Sequence, residues 1–218
     1  INNPLAGILN YARLMSKILG RGALTPEQLE KFQRYLSLVE SETERTSKIV
    51  SSLLAFSRKS EVDFSEINVQ ELIERSVLLS QHKMTLQNIQ IRRELDKEIP
   101  KIRGDFNQLQ QVIINLIFNA IDAMPNGGIL SMACSLNTKD GVIEIKVRDT
   151  GSGIPKEDLP NIFEPFFTTK KEGKGLGLGL STVYGIIERH RGTIHVESEV
   201  GKGTSFTIRL PLGFSRNR

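Results

Sequence analysis

The sequence predicts an α+β protein in two parts, an antiparallel helical hairpin followed by a sandwich of mixed sheet and helices. Three patterns predict it. Apolar residues recur at spacings of three and four up to Ser57, helical and strand periods alternate after Ser65, and a short polar break separates the two regimes. At 218 residues and 39% apolar content the chain has enough material for a packed core in one large domain or two modest ones. The expected division is 1–60 and 65–213.

In the first part, Leu5, Ile8, Leu9, Ala12, Met15, Ile18 and Leu19 mark one stripe of a helix that Gly20-Arg-Gly22 ends. Thr25 then supplies an N-cap, with Pro26 at the first helical position, where its missing N–H costs nothing. Leu29, Phe32, Leu36, Val39, Thr43, Thr46, Val50 and Leu53 carry a long second helix, and Glu40, Glu42, Glu44, Arg45 and Lys48 take its other faces. Two helices alone leave an apolar stripe in water, so a second copy is expected to complete a four-helix bundle and make the protein a homodimer. The polar run from Arg58 to Asp63 reads as a linker.

In the second part, Glu66 to Val69 reads as a short strand, Gln70 to Lys83 as a helix and Ile89 to Leu95 as an alternating strand. Asp105 to Met124 is a long helix, with Asp105 and Gln108 forming its N-terminal capping box. Ile129 to Leu136 and Val142 to Val147 alternate as paired strands. A helix from Ser181 to His190 and strands at Thr193 to Ser198 and Ser205 to Leu210 complete the sandwich.

Composition removes several function classes. Net charge is +4, but the basic residues are interleaved with 25 acids and form no basic face, which argues against nucleic acid. The single Cys134 excludes a disulfide framework and a zinc cluster; it reads as a half-buried strand residue in a reducing cytosol. No run of about 18 apolar residues is present, so this part contacts no membrane. This part is expected to be cytoplasmic, and the chain begins with Ile, which leaves room for upstream sensor or membrane segments that anchor the parent protein.

Three motifs carry the chemistry. Asn115 and Asn119 place two amides one turn apart on a helix face, where a neutral oxygen can meet Mg²⁺ and a neutral amide can hold a metal-bound water or a phosphate. Asp149 ends a strand and enters the turn Gly151-Ser-Gly153, so its carboxylate can accept from an adenine amino group while the glycines let backbone come close. Glycines at 173, 175, 177 and 179 offer a run of N–H groups to phosphates, Gly179 opens a helix whose positive end adds to this, and Lys174 adds a point charge. Lys170 and Lys171 lie in the same loop. Together these describe an ATP site.

The same residues resemble the sensor histidine kinases of bacterial two-component signalling over nearly the whole chain. Asn115 to Met124 is similar to the family's N box, Asp149 to Gly153 to its G1 box, Phe163-Glu-Pro-Phe-Phe167 to its F box and Gly175-Leu-Gly-Leu-Gly179 to its G2 box. The resemblance implies a Bergerat ATP-binding sandwich, with Asn119 on Mg²⁺, Asp149 on adenine, Thr204 near the base and Phe163 to Leu178 forming a lid. It extends the nucleotide-contacting set to Asp122, Gly151, Gly153, Ile154, Thr168, Thr169, Lys170, Gly173, Leu176, Gly177 and Gly179. Leu176 stands where many relatives carry threonine.

The opening Ile1-Asn-Asn-Pro-Leu5 resembles the tail of the family's H box, which places the phosphoacceptor histidine just before Ile1 and Asn3 four residues beyond it, where it would orient water during dephosphorylation of the partner. His82, His190 and His195 read as structural, with His190 at a helix C-terminus that favours positive charge. The implied activity is transfer of the ATP γ-phosphoryl to a histidine and on to an aspartate of a response-regulator receiver domain, with Asn115, Asn119 and Lys174 neutralising and positioning. These residues alone, lacking that histidine, are expected to bind nucleotide without phosphorylating themselves. Two other classes stand beside it: the ATPases of the gyrase, mismatch-repair and chaperone superfold, which carry a Glu base where this chain has Asn115, and a non-catalytic interaction module.

Overall fold

A computed structural model describes residues 2–20, 25–57, 63–96, 98–170 and 177–212. The chain divides after Ser60 into two compact units. No helix among the described residues is long and apolar enough to cross a membrane.

The first unit is the expected hairpin, α1 (Asn2–Leu19) and α2 (Pro26–Ser57). It is antiparallel: Tyr11 stacks on Tyr35 with ring centroids 5.8 Å apart, and Gly7 lies against Glu42. Thr25 and Gln28 cap α2 reciprocally. The Thr25 N–H donates to Oε1 of Gln28 at 3.0 Å, and the Gln28 N–H donates back to the threonine hydroxyl oxygen at 3.3 Å. Leu5, Leu9, Leu19, Leu29 and Leu36 remain exposed, each above two-fifths.

The second unit runs β1 (Ser65–Ile67), α3 (Val69–Leu86), β2 (Ile89–Leu95), β3 (Ile102–Gly104), α4 (Phe106–Ala123), β4 (Gly128–Asn137), β5 (Val142–Asp149), α5 (Gly179–Arg189), β6 (Thr193–Glu199) and β7 (Gly203–Pro211). Five strands form one sheet in the order β2-β4-β5-β7-β6, and β1 pairs with β3 in a separate two-stranded ribbon. β2 and β4 are parallel, with α4 in the connection between them, while the other pairs are antiparallel. The alternation seen in the sequence decides the layers. Ile143, Ile145 and Val147 of β5, Phe206, Ile208 and Leu210 of β7, and Leu130, Met132 and Cys134 of β4 are buried in one core with Leu109, Ile113, Leu116, Ile117 and Ile121 of α4.

Four expectations change. The strand at Glu66 stops at Ile67, because the Asn68 side chain accepts from the N–H groups of Gln70 and Glu71 and starts α3 one residue early. β3 is too short for a periodic signal. Cys134 is fully buried at 1% exposure, and burial first, with Asp96 second, pushes its thiol up to about 12. In the Asp105–Gln108 cap, Asp105 accepts from the Gln108 N–H at 3.1 Å, but the Gln108 amide returns to the carboxylate rather than to the Asp105 N–H.

That N–H is taken by His190. Nε2 of His190 accepts from it at 2.9 Å, so Nδ1 carries the proton and donates to the Ile186 carbonyl at 2.8 Å. The ring is 2% exposed, and burial holds its pKa below the ordinary histidine value. The helix-end cation expected from the sequence is therefore a neutral strut between the end of α5 and the start of α4.

Candidate nucleotide site

Asp149, Thr204 and Ser198 are the last polar residues in the helix-facing slots of β5, β7 and β6, at the same end of three adjacent strands. Asp149 is 4% exposed, and both of its protein hydrogen bonds fall on one oxygen: Oδ1 accepts from the Gly151 N–H at 2.8 Å and from the Thr204 N–H at 3.2 Å. Oδ2 has no partner among the described residues. Burial raises the carboxyl above its ordinary pKa, and the Gly151 and Thr204 N–H groups and the Arg148 charge only partly oppose this.

Ser198, which sequence reading did not select, organises the neighbouring hydroxyl. Its oxygen accepts from the Ile154 N–H at 2.7 Å and its proton goes to the Gly203 carbonyl at 3.1 Å, so the Thr204 hydroxyl, 2.9 Å away, is the donor in that pair. Thr204 Oγ1 is left with acceptor capacity only. An acceptor-only oxygen on Asp149 next to an acceptor-only hydroxyl matches a ligand group with two N–H donors, such as an exocyclic amine.

The glycines beside Asp149 serve the protein first. A Cβ on Gly151 would sit 2.6 Å from the Ala123 carbonyl oxygen. Gly153 and Gly203 have φ of +72° and +100°, and side chains there would strike the backbone of Glu199 and of Asp149. The turn is held against the end of α4 by the Ser152 N–H to Ala123 carbonyl bond at 3.0 Å, and against the β6–β7 turn by the Gly201 N–H to Ser152 carbonyl bond at 2.8 Å.

α4 runs from this turn toward α5. Nδ2 of Asn115 approaches the Gly179 carbonyl at 3.4 Å, and Asn119, half-buried one turn on, has no side-chain hydrogen bond among the described residues. Asn115 to Ala123 spans about 12 Å of helix. Asp122 is turned to the α3 side, where Lys83 binds it at 2.8 Å while lying 4.7 Å from the Phe118 ring centroid.

α2, α3 and α4 each begin with a side-chain cap; α5 does not. The hydroxyls of Ser181 and Thr182 both turn back to the Leu178 carbonyl, at 3.0 and 2.7 Å, leaving the first N–H groups of the helix without side-chain partners among the described residues. Ahead of it, Gly177 at φ +67° abuts Phe166, whose N–H donates to the Gly177 carbonyl at 2.9 Å, and Phe163 packs on Tyr184 with centroids 5.6 Å apart. Thr168, Thr169 and Lys170 are exposed on the approach to this segment; Gly173, Lys174, Gly175 and Leu176 lie outside the described residues. Asn3 belongs to the helical unit, exposed on α1.

Residues 104–213 match the family described as histidine kinase-, DNA gyrase B- and HSP90-like ATPase, and residues 1–61 match the His kinase A phospho-acceptor domain. The catalytic domain of histidine kinase ThkA, of which 99% is covered by 69% of this chain, superposes at TM-score 0.62 with 34% identity. The chain belongs to the histidine kinases. Sporulation kinase A of Bacillus subtilis is 38% identical over 97% of this chain, which spans 33% of that kinase's length. Two longer histidine kinase structures each superpose at TM-score 0.70. ThkA in complex with response regulator TrrA is 31% identical, covering 94% of this chain and 58% of that one. ShkA in complex with AMPPNP is 27% identical, covering 96% and 43%.

Proposed function

We propose that these residues are the dimerisation and ATP-binding core of a protein-histidine kinase that moves the γ-phosphoryl of ATP to a histidine and then to a response-regulator aspartate. The observation that carries the nucleotide reading is Asp149: a buried carboxylate whose one oxygen is saturated by main-chain N–H groups while the other has no protein partner. Adenine supplies the missing donor, and the Thr204 hydroxyl accepts the second proton of the same amino group. The phosphates lie toward the uncapped start of α5 and the lid glycines, with Lys174 as their point charge.

The donor set suits magnesium. No cluster of three His, Cys, Asp or Glu occurs among the described residues, so no all-protein cage competes, and the free amide of Asn119 offers one neutral oxygen to an ion otherwise held by phosphate and water. Bound there, Mg²⁺ neutralises phosphate charge. Asn115, tied to the Gly179 carbonyl, orients the start of α5 and cannot take a proton from water, which favours transfer over hydrolysis. Support for the partner reading comes from the phospho-acceptor match, the ThkA–TrrA complex and the exposed leucines of the hairpin.

Asp149→Asn tests the proposal. The amide keeps both N–H bonds at Oδ1 and replaces the acceptor Oδ2 with a donor, so ADP affinity measured by calorimetry falls on the order of a hundredfold. The same change removes a charge that burial disfavours, so the Tm of the unliganded protein does not fall. Unchanged ADP affinity overturns the assignment.

A further inference from the structure

β5, β7 and β6 form a wall one residue thick. Asp149, Thr204 and Ser198 face the helices; their chain neighbours Arg148, Ser205 and Glu197 face the opposite side of the sheet and fall in one row, Arg148 opposite Ser205 and Ser205 opposite Glu197. A cavity of about 320 Å³ opens on this side, lined by Lys146, Arg148, Glu197, Glu199, Lys202 and Ser205 among others.

Two features mark it as a place for a ligand. Ser205 is 8% exposed, and its hydroxyl has no hydrogen-bond partner among the described residues, an arrangement that folded proteins rarely leave unfilled. Lys146 and Arg148 form no salt bridge among the described residues, although the Arg148 charge also acts on Asp149, whereas Lys202 is paired with Glu199 at 2.7 Å. Two unpaired cations therefore face the single carboxylate of Glu197, leaving the row with one excess positive charge. A guanidinium presents a planar fork of donors suited to a tetrahedral oxyanion, and the ammonium and the serine hydroxyl add further donors. Glu197 offers an acceptor on the far side.

We propose that this cavity binds a small phosphate, as the hydrogen phosphate ion or a phosphate monoester, with its charged oxygens on Arg148 and Lys146, one oxygen on the Ser205 hydroxyl and an O–H of the ligand on Glu197. Nothing in the nucleotide reading requires this site: its charged groups lie on the other face of the same strands, although Ser198 and Thr204 border both.

The test is a titration of the ¹⁵N-labelled 218-residue chain with inorganic phosphate, and separately with glycerol phosphate, at fixed ionic strength and with and without saturating ADP. Saturable shifts of the Arg148, Ser205 and Glu197 amides with either ligand are expected. Arg148→Gln, an exposed strand position, weakens the binding at least tenfold, and Ser205→Ala weakens it about fivefold. Asp149→Asn leaves it in place, so this proposal and the nucleotide assignment fail separately. Shifts that do not saturate with either ligand, saturation unchanged in Arg148→Gln, or shifts confined to the first turn of α5 overturn it.

Discussion

Asp149 occupies a strand slot that the alternation of β5 otherwise fills with isoleucine and valine. The position buries the carboxylate, and its neighbours convert that burial into selectivity by using up one oxygen. Ser198 supports the same end of the site. Ser198→Ala removes the acceptor of the Ile154 N–H and the acceptor that orients Thr204, so it is expected to cost about 1 kcal/mol of stability and to weaken ADP more than GDP in competition binding; equal losses for the two nucleotides would count against the hydroxyl relay. His190 makes a different prediction. Its folded pKa lies below the unfolded value of about 6.5, so its contribution is intact above that pH and is lost as pH falls through the lower folded pKa, where the unfolded chain binds a proton that the native fold refuses. Urea midpoints should drop between pH 7.5 and 5.5, and His190→Gln should flatten that drop.

At the scale of elements, α5 and the turns around it carry the site through backbone rather than side chains. Two helix caps elsewhere, Thr25 and Asp105, were readable as side-chain types because a cap is a local device. The missing cap on α5 shows only in three dimensions, since Ser181 and Thr182 could each have served a helix start but bond the Leu178 carbonyl instead. The left-handed Gly177 against Phe166 joins the F-box turn to the end of the lid. Gly177→Ala strains that φ and meets main chain, so it is expected to lower nucleotide affinity at least tenfold while the core, followed by far-ultraviolet circular dichroism, stays folded. Ser198 escaped sequence reading because a serine near the end of an alternating strand is an ordinary edge residue until its register with Thr204 is known.

At the scale of the whole molecule, the helical unit has more apolar surface than its two helices cover. Leu9 is 51% exposed and Leu36 43%. Burying each against a second hairpin is worth about 1.5–3 kcal/mol, so Leu9→Glu and Leu36→Glu should each weaken self-association at least tenfold by sedimentation equilibrium, with ADP binding unchanged because Asp149, Thr204 and Asn119 lie in the other unit. A monomer at all concentrations for the unsubstituted chain would remove the dimer from the proposal.

Periodicity in the sequence determined the order and type of nearly every element, and the three glycine- and amide-rich motifs determined which family the chain belongs to. Both are local in the chain: a 3.6- or 2-residue repeat and a motif are complete within a few turns. Tertiary structure decided which oxygen of Asp149 stays open, which way each hydroxyl points, that His190 is neutral, and that Arg148, Ser205 and Glu197 share a row behind the nucleotide face. Those outcomes depend on strand register and on partners up to 85 residues away, and hydrogen-bond satisfaction in a buried environment is a property of neighbours that no single segment contains.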